Sequence, residues 1–465
     1  MPTYREALCN VLQEDTAMAA SSGSTANFSR RRFVRVIAGP AVLLSVTALA
    51  ACRQPSKPAE KGQVVLGKPT GPIRIGSRGG TDLEASAKAF TEKTGIKAET
   101  PEPIGPEPDY WFKVIVLHNA GTLPDVVWAS TGGHRLLAAK GVLLNLSPII
   151  AADKYDISDF IKAGLDSLSL DGKLYGMPWG GHPGNGGLAY NADMLRHAGS
   201  ATVTEDAATL LDWTYDTLRE AARRLTIRDQ QQFGFRPGID FLSLNNVVGA
   251  YGGEFFSPDG KKLTIDTPQF MAAMEWVASI WQEGLAGPWS PFNTTEQFAA
   301  AKLGMLQTGY WGQFTLRPEQ SAFKWNCTIM PKGPAGKRGT SLTINGMCIS
   351  SSTKQVAASW EFLKFLFDPE VHIPDVLAGR SRPALKRSIL YHPRLLEGMK
   401  AQKVWADAIL AAEPWKMPAN YRWAEFDTAV REVLTPVWQG VKGLRDVMDD
   451  ARQRLQYILD QPVPE

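Results

Sequence analysis

Histidine is scarce in this chain, and its spacing is not that of a metal site. The 465 residues include six histidines, and no two of them form a His-x-x-x-His or similar pair. Catalytic metal sites usually take histidine ligands at short, regular spacings. The sequence therefore predicts no bound metal.

Motifs that bind nucleotides are also missing. The stretch around Gly336 superficially resembles a phosphate loop, but Pro331 stands where the first glycine belongs, and Arg338 replaces the serine or threonine that holds magnesium. The glycine cluster at 180–187 lacks the trailing helix and the dinucleotide spacing. We therefore expect the protein to use no cofactor.

Signatures of catalysis are equally sparse. No Gly-x-Ser-x-Gly elbow occurs in the chain. Acidic residues are spread throughout, and no pair of them can be nominated from the sequence as a general acid and base. The sequence predicts a protein that is not an enzyme.

Net charge is small. Lysine and arginine total 50 against 47 aspartate and glutamate, which gives +3 with the signs interspersed. Binding to nucleic acid or to an anionic lipid surface generally needs concentrated positive charge, so neither is expected. The composition, 44% hydrophobic and 21% charged, is typical of soluble globular proteins, and the length predicts two domains.

The amino-terminal region has the pattern of an export signal. A basic head at Ser29–Arg35 precedes an apolar run, Val36–Ala51, that ends directly before Cys52. The head resembles a twin-arginine signal, and the Leu-Ala-Ala-Cys ending resembles a bacterial lipobox. The run is shorter than the roughly 20 residues of a membrane-spanning helix. We predict a signal at 1–51 that is removed, with lipid then attached to Cys52.

Two further interpretations concern the same region. Residues 52–70 are rich in Pro, Lys and Gly, which predicts a flexible tether between the lipid and the folded body. The alternative to a cleaved signal is that Val36–Ala51 forms a buried helix behind a basic stub.

Cysteine is rare as well. Of four cysteines, Cys9 is lost with the signal and Cys52 carries lipid, which leaves Cys327 and Cys348. Both lie in short strand-like stretches. They can form a disulfide between neighbouring strands in an oxidising compartment, or remain as two buried thiols.

The folded body begins as an α/β domain does. A strand at Ile73–Gly76 and a glycine-rich loop lead into a helix with a capping-box pattern, Thr81 with Glu84. A second strand is predicted at Asp125–Trp128. Strand, loop and helix in this order indicate an α/β fold.

Tryptophan is the abundant and informative residue. The chain has 14, all after the signal. Three have the spacing of helix cores: Trp276, Trp281 and Trp360. Four others are flanked by glycine or small polar residues, namely Trp128, Trp179, Trp311 and Trp423. Such rings suit either a core or a pocket in which indoles cover the apolar faces of a hydroxyl-rich ligand while polar groups bind its hydroxyls.

Three groups of segments, in order, resemble the extracellular solute-binding proteins of ABC importers, in particular the group that binds sugars and oligosaccharides. They are Leu123–Ser130 with Leu137–Leu146, Asp171–Trp179 with Leu188–Asn191, and Asn345–Lys354 with Ala358–Leu363. The likeness covers nearly all of residues 71–460.

The resemblance implies an α/β fold of two lobes, the periplasmic-binding-protein-like fold, with the ligand cleft between them. The first lobe is expected at 71–177 and 325–372, and the second at 178–324 and 373–465. The positions that match the family's ligand-binding segments are Ser77, Arg78, Trp128, Ser130, Thr131, Trp179, His182, Asp240, Phe241, Trp311 and Trp423.

The function implied is that of a lipid-anchored, monomeric subunit outside the cytoplasm that captures a sugar by hinge closure and delivers it to an ABC permease. Ser77 and Thr131 stand where acidic residues serve some sugar binders, which leaves the choice of sugar open. A phosphorylated polyol, polyamine or peptide is an alternative ligand, and Arg78 could favour an anion. A surface-anchored glycan hydrolase is the alternative from another class, and it requires two carboxylates facing one cleft.

Overall fold

The computed structural model describes residues 66–78, 83–101, 103–105, 110–289, 294–316, 322–339, 341–399 and 401–464. All of them belong to one compact unit, Gly62–Glu465. The predicted signal at 1–51, the lipid-bearing Cys52 and most of the tether lie outside the described residues. Within these described stretches, no helix is long and apolar enough to cross a membrane.

Twelve strands are present in the described chain. In chain order they are β1 (Ile73–Gly76), β2 (Ala98–Glu99), β3 (Val126–Ser130), β4 (Ser169–Leu170), β5 (Lys173–Leu174), β6 (Met177–His182), β7 (Gly187–Asn191), β8 (Phe233–Arg236), β9 (Leu303–Thr308), β10 (Trp325–Ile329), β11 (Ser341–Ile349) and β12 (Glu413–Pro414).

The α-helices alternate with these strands and are concentrated after β11. They are α1 (Glu84–Thr94), α2 (Tyr110–Asn119), α3 (Thr131–Ala139), α4 (Ser147–Asp153), α5 (Lys162–Ser167), α6 (Ala192–His197), α7 (Tyr215–Leu225), α8 (Phe241–Ala250), α9 (Pro268–Gln282), α10 (Thr294–Ala299), α11 (Gly312–Thr315), α12 (Val356–Leu366), α13 (Pro369–Leu377), α14 (Arg387–Leu390), α15 (Pro393–Gly398), α16 (Gln402–Leu410), α17 (Trp423–Trp438) and α18 (Leu444–Asp460).

The first lobe is built on a six-stranded sheet in the order β12-β11-β3-β1-β2, with β6 also paired to β11. Strands β1, β2 and β3 are parallel, whereas β11 runs antiparallel to β3 on one side and to β6 on the other. All five residues of β3 are buried. Four of the five, Val126–Ala129, are apolar, and such a buried apolar run is typical of a sheet covered on both faces.

The second lobe is built on a four-stranded sheet in the order β10-β7-β9-β8. Its core also takes in α8, α9 and the last two helices, α17 and α18. The α/β architecture and the two lobes expected from the sequence are therefore present.

Three pairings shift the expected lobe boundaries. Strand β10 pairs with β7, so 325–329 belongs to the second lobe and not to the first. Strand β6 pairs with β11, so the first lobe extends through His182 rather than ending at residue 177. Strand β12 also pairs with β11, which puts Glu413–Pro414 in the first sheet. The chain crosses between lobes more often than the sequence pattern indicates.

Helix boundaries follow the expected chemistry in most places. The Thr267 side chain accepts a hydrogen bond from Phe270 N at 3.3 Å, and Pro268 occupies the first turn of α9. The predicted core tryptophans Trp276, Trp281 and Trp360 are buried. Helix α1 differs from expectation, because its cap is Leu83, which makes no side-chain capping bond; Thr81 lies outside the described residues.

The possible disulfide between Cys327 and Cys348 is absent. Cys327 lies in β10 of the four-stranded sheet and Cys348 in β11 of the six-stranded sheet, and both thiols are free and buried. Burial raises the pKa of each thiol above its ordinary value. The two strands are not neighbours, so the alternative of two buried thiols is the observed one.

Candidate ligand-binding site

A cavity of about 250 Å³ is lined by side chains from both lobes. Of the residues proposed from the sequence, those that line it are Arg78, Trp128, Ser130, Trp179, His182, Trp311 and Trp423. Ser77, Thr131, Asp240 and Phe241 do not. The structure therefore brings indoles of both lobes together around one cavity.

Trp128, in the middle of β3, forms the base of the first lobe's wall. Its ring stacks on Trp111 with 5.2 Å between centroids, and the Arg78 guanidinium carbon lies 4.8 Å from its centroid. The Tyr110 hydroxyl donates a hydrogen bond of 3.0 Å to the Trp128 carbonyl. Only 2% of Trp128 is exposed. Trp128 therefore supports the Arg78 guanidinium more than it offers an open face.

Strand β11 contributes two polar side chains by simple alternation. Thr343 and Asn345 line the cavity, whereas Leu342 and Ile344, which alternate with them along the strand, are buried in the core. This is the two-residue period of a strand with one face on a cavity and one on a core. Neither Thr343 nor Asn345 was proposed from the sequence, although the alternation was visible in it.

In the second lobe, Trp423 and Trp415 pack edge to face with 4.3 Å between ring centroids. Both line the cavity, and Trp415 was missed because nothing in the sequence but its neighbour Pro414 set it apart. Phe241 packs against Trp423 at 4.8 Å and is fully buried. Phe241 therefore supports the aromatic wall from behind, which corrects its expected role as a ligand contact.

Asp240 also acts from behind the cavity. It caps α8 by accepting a hydrogen bond from Ser243 N at 3.0 Å, and it accepts another from Asn185 Nδ2, also at 3.0 Å. Asn185 does line the cavity, and its Oδ1 accepts a bond of 3.4 Å from Trp311 Nε1. The carboxylate is therefore occupied in orienting Asn185, which in turn orients Trp311.

Thr131 and Ser77 are placed differently from expectation as well. The Thr131 hydroxyl accepts from Ile344 N at 2.8 Å and donates to Ile344 O at 3.3 Å, and so fixes α3 to β11. Ser77 contributes its backbone carbonyl to Ile104 N at 2.9 Å. Gly132, the residue after Thr131, lines the cavity instead.

Gly132 is also the point at which the lobes touch. A Cβ atom added to it would lie 2.8 Å from Trp423 Cδ1, closer than real Cβ atoms approach. Nearby, the Arg135 guanidinium carbon of α3 lies 5.9 Å from the ring centroid of Tyr421, just before α17. A glycine is required here because the indole of one lobe lies directly against the helix of the other.

His182 is uncharged at neutral pH. Burial lowers its pKa to about 4, although its hydrogen bond to the Gly184 carbonyl acts in the opposite direction. That bond, 2.5 Å long, places the proton on Nδ1 and leaves Nε2 as a hydrogen-bond acceptor.

A loop after α13 supplies residues that the sequence did not suggest: Arg380, Ser381 and Arg382 line the cavity. Arg380 donates through Nε to Asp375 at 3.0 Å. The Arg382 guanidinium carbon lies 4.3 Å from the ring centroid of Phe314. Burial lowers the pKa of Arg382, and the positive charge of Arg78 lowers it further.

A larger cavity of about 890 Å³ lies elsewhere and has a different character. The described residues of its wall include no aromatic ring, and four of its charged side chains are paired with one another, Lys416 with Glu254 at 2.7 Å and Lys403 with Asp407 at 2.8 Å. Volume alone does not make a sugar site. The smaller, indole-lined cavity has the chemistry that such a ligand needs.

Comparison with known proteins decides the family. A model of the family described as bacterial extracellular solute-binding protein matches residues 85–395, more than half of the chain. The chain belongs to this extracellular solute-binding family. The family therefore places the protein outside the cytoplasm and describes a binding protein.

Solved structures of similar proteins show the fold. The chain resembles an ABC substrate-binding protein of Listeria monocytogenes in complex with cycloalternan, with a TM-score of 0.71, 20% identity, and coverage of 83% of this chain and 98% of that one. It also resembles an ABC solute-binding protein of Agrobacterium radiobacter K84 in complex with ribitol, with a TM-score of 0.68, 20% identity, and coverage of 83% and 98%. At these identities, the likeness establishes a shared two-lobe fold.

A curated relative is more similar in sequence over a shorter stretch. The lactose-binding protein of Rhizobium radiobacter is 28% identical over 216 residues, which is 45% of this chain and 48% of that protein. The chain thus spans about half the length of the curated relatives it matches.

Proposed function

We propose that this chain is the substrate-binding subunit of an ABC importer and that it captures a sugar in the cavity between its lobes. The observation that carries the proposal is that indoles from both lobes, Trp179 of the first and Trp311, Trp415 and Trp423 of the second, line one cavity together with polar side chains. The named ligands of similar proteins, lactose and cycloalternan among them, support the same class.

Capture proceeds by hinge closure. A ligand held between the lobes contacts both, so it stabilises the closed arrangement by its higher affinity for that state. The contact between Gly132 and Trp423 supports this view, because these residues come from different lobes. The cavity volume of about 250 Å³ lies below the roughly 300–1,000 Å³ of drug-sized sites, which favours one or two sugar rings over a long chain.

The lipid anchor and the permease complete the proposal. They rest on the twin-arginine-like head, on the lipobox-like ending at Cys52 and on the family to which the chain belongs. Attachment of lipid to Cys52 keeps the protein beside its permease. The protein acts as a monomer, since one chain provides both walls of the cavity.

The hydrolase alternative lacks the side chains it needs. Glycoside hydrolysis uses two carboxyl groups facing the sugar, about 5 to 9.5 Å apart. No aspartate or glutamate of the described chain lines the cavity. We therefore propose binding without catalysis.

Titration of tryptophan fluorescence against a panel of mono- and disaccharides tests the proposal. We expect saturable changes for at least one sugar, because closure alters the surroundings of several indoles. Trp311→Ala should weaken that binding about tenfold or more, since the ring loses its contact with the ligand. Trp289→Phe is the control, because Trp289 does not line the cavity. Equal losses in both variants, or no sugar bound by the unaltered protein, would refute the proposal.

A further inference from the structure

We propose that the ligand of this cavity carries an anionic group, a carboxylate or phosphate on a sugar or polyol, and that Arg382 binds it together with Arg78. This inference rests on the proposed function and names the class of solute. It follows from the charge of the cavity wall and from the surroundings of Arg382.

Among the described residues, the charged side chains of the wall are all of one sign. Arg78, Arg380 and Arg382 line the cavity, and no described aspartate or glutamate does. His182 adds no charge, because its pKa lies at about 4. The chain as a whole carries almost equal numbers of acidic and basic residues. The positive cavity is therefore a local property and not a reflection of the composition.

Arg380 and Arg382 differ in how their charges are balanced. Arg380 forms an ion pair with Asp375, whose side chain is only 14% exposed. Arg382 has no carboxylate within ion-pair distance among residues the structure describes; it lies over Phe314, and its Nη1 donates a long hydrogen bond of 3.5 Å to the Ser381 carbonyl. A partly buried guanidinium of this kind is stabilised by an anion that accepts from it at two points.

Arg78 provides the second contact. Its guanidinium lies over Trp128 on the first lobe's wall, and both Arg78 and Arg382 line the same cavity. A guanidinium has five N–H donors, so Arg78 and Arg382 can both donate to one anionic group of the ligand. The remaining polar groups, including Asn185, Asn345 and His182 Nε2, suit the hydroxyls of the same ligand.

A neutral sugar fits this wall less well. Sugar hydroxyls donate as well as accept, and carboxylates are strong acceptors for such donors. In the described part of the wall, the acceptors are neutral groups, whereas the strongest donors are the arginines. Donors of this strength are best matched by a charged acceptor on the ligand.

The test compares ligands in pairs that differ only in the charged group: galacturonate with galactose, digalacturonate with digalactose, and glucose 6-phosphate with glucose. Affinities are measured by calorimetry on the purified protein at low and at physiological salt. We expect the anionic member of at least one pair to bind about 10- to 100-fold more tightly. The carboxylate and phosphate pairs distinguish the two sources of charge.

Variants locate the effect. Arg382→Gln should reduce the preference for the anionic member to about twofold, and Arg382→Lys should retain part of it, because lysine keeps the charge without the two-pronged geometry. Arg394→Gln removes the same charge from an exposed helix residue outside the cavity and should leave the preference unchanged. Arg78→Gln is a second variant should Arg382→Gln fold poorly.

The outcomes separate this inference from the proposed function. If neutral sugars bind as tightly as their anionic partners, the anionic class is wrong while sugar binding stands. If Arg382→Gln and Arg78→Gln both retain the preference, the assignment of the anion to these two arginines is wrong. If no sugar of either kind binds, sugar capture itself is refuted, and the anionic class falls with it.

Discussion

Replacement of Gly132 by alanine should separate ligand affinity from fold stability. The added methyl group would lie 2.8 Å from Cδ1 and 3.0 Å from Nε1 of Trp423, where ordinary contacts are 3.4 Å or longer. Gly132 belongs to the first lobe and Trp423 to the second, so the overlap can be relieved by holding the lobes slightly apart. The cost of such overpacking is about 1–3 kcal/mol.

Stability should change in the opposite direction. Gly132 lies in the first turn of α3 and does not have a positive φ. Alanine in a helix is more favourable than glycine by about 0.5–1 kcal/mol. We therefore expect the melting temperature of the free protein to be unchanged or slightly raised, while ligand affinity falls about 5- to 30-fold, the factor that corresponds to 1–2 kcal/mol.

Calorimetry gives the affinity, thermal unfolding gives the stability, and small-angle scattering with saturating ligand reports the separation of the lobes. A double-mutant cycle with Trp423→Leu isolates the contact, because the effect of Gly132→Ala should shrink when the indole is absent. Unaltered affinity, or a loss of affinity that accompanies a lower melting temperature, would refute this account of closure.

Three further predictions concern groups away from the ligand. Asp240→Ala should lower the melting temperature by about 2–4 °C, because α8 loses its N-cap. It should also weaken sugar binding, because Asn185 loses its hydrogen-bond partner. An unchanged affinity would show that the orientation of Asn185 does not depend on Asp240. Burial lowers the pKa of His134 to about 3 in the folded protein, whereas its pKa in the unfolded chain is near 6.5. Because the unfolded chain therefore binds this proton at higher pH, the stability of the fold should decrease as pH falls below 6.5. The melting temperature of His134→Leu should fall less steeply between pH 6.5 and 5 than that of the unaltered protein. Neither Cys327 nor Cys348 should react with a thiol reagent before unfolding, and a reductant should leave the melting temperature unchanged; a lower melting temperature would indicate that a disulfide does form.

The sequence was sufficient to predict several of the segments that line the cavity, but not always the residue within each segment. Thr131 was proposed where Gly132 lines the wall, and Phe241 where Leu242 does. Adjacent side chains on a strand or helix point in different directions, and a segment match does not resolve which of the two faces inward. The four tryptophans proposed from the sequence, Trp128, Trp179, Trp311 and Trp423, all line the cavity, and their role as ligand contacts stays a prediction.

Other parts of the wall had no local pattern to reveal them. Arg380 and Arg382 lie in a loop between helices, and only the long-range folding of the chain brings that loop to the cavity. The lobe boundaries expected from the sequence differ from the strand pairings for the same reason. The pairing of β10 with β7 joins residues more than a hundred positions apart, and the sequence of neither strand indicates which strand it pairs with.

Strand β11 has a consequence for how this family member can acquire new ligands. It is hydrogen-bonded to β3 on one edge and to β6 on the other, so Thr343 and Asn345 sit on backbone that cannot shift without disturbing the whole sheet. Arg382 lies in a loop between helices, and Trp415 lies in the irregular segment that follows β12. Selection for a different solute should therefore act first on those two segments, while the β11 side of the cavity stays nearly invariant among descendants of the same ancestor.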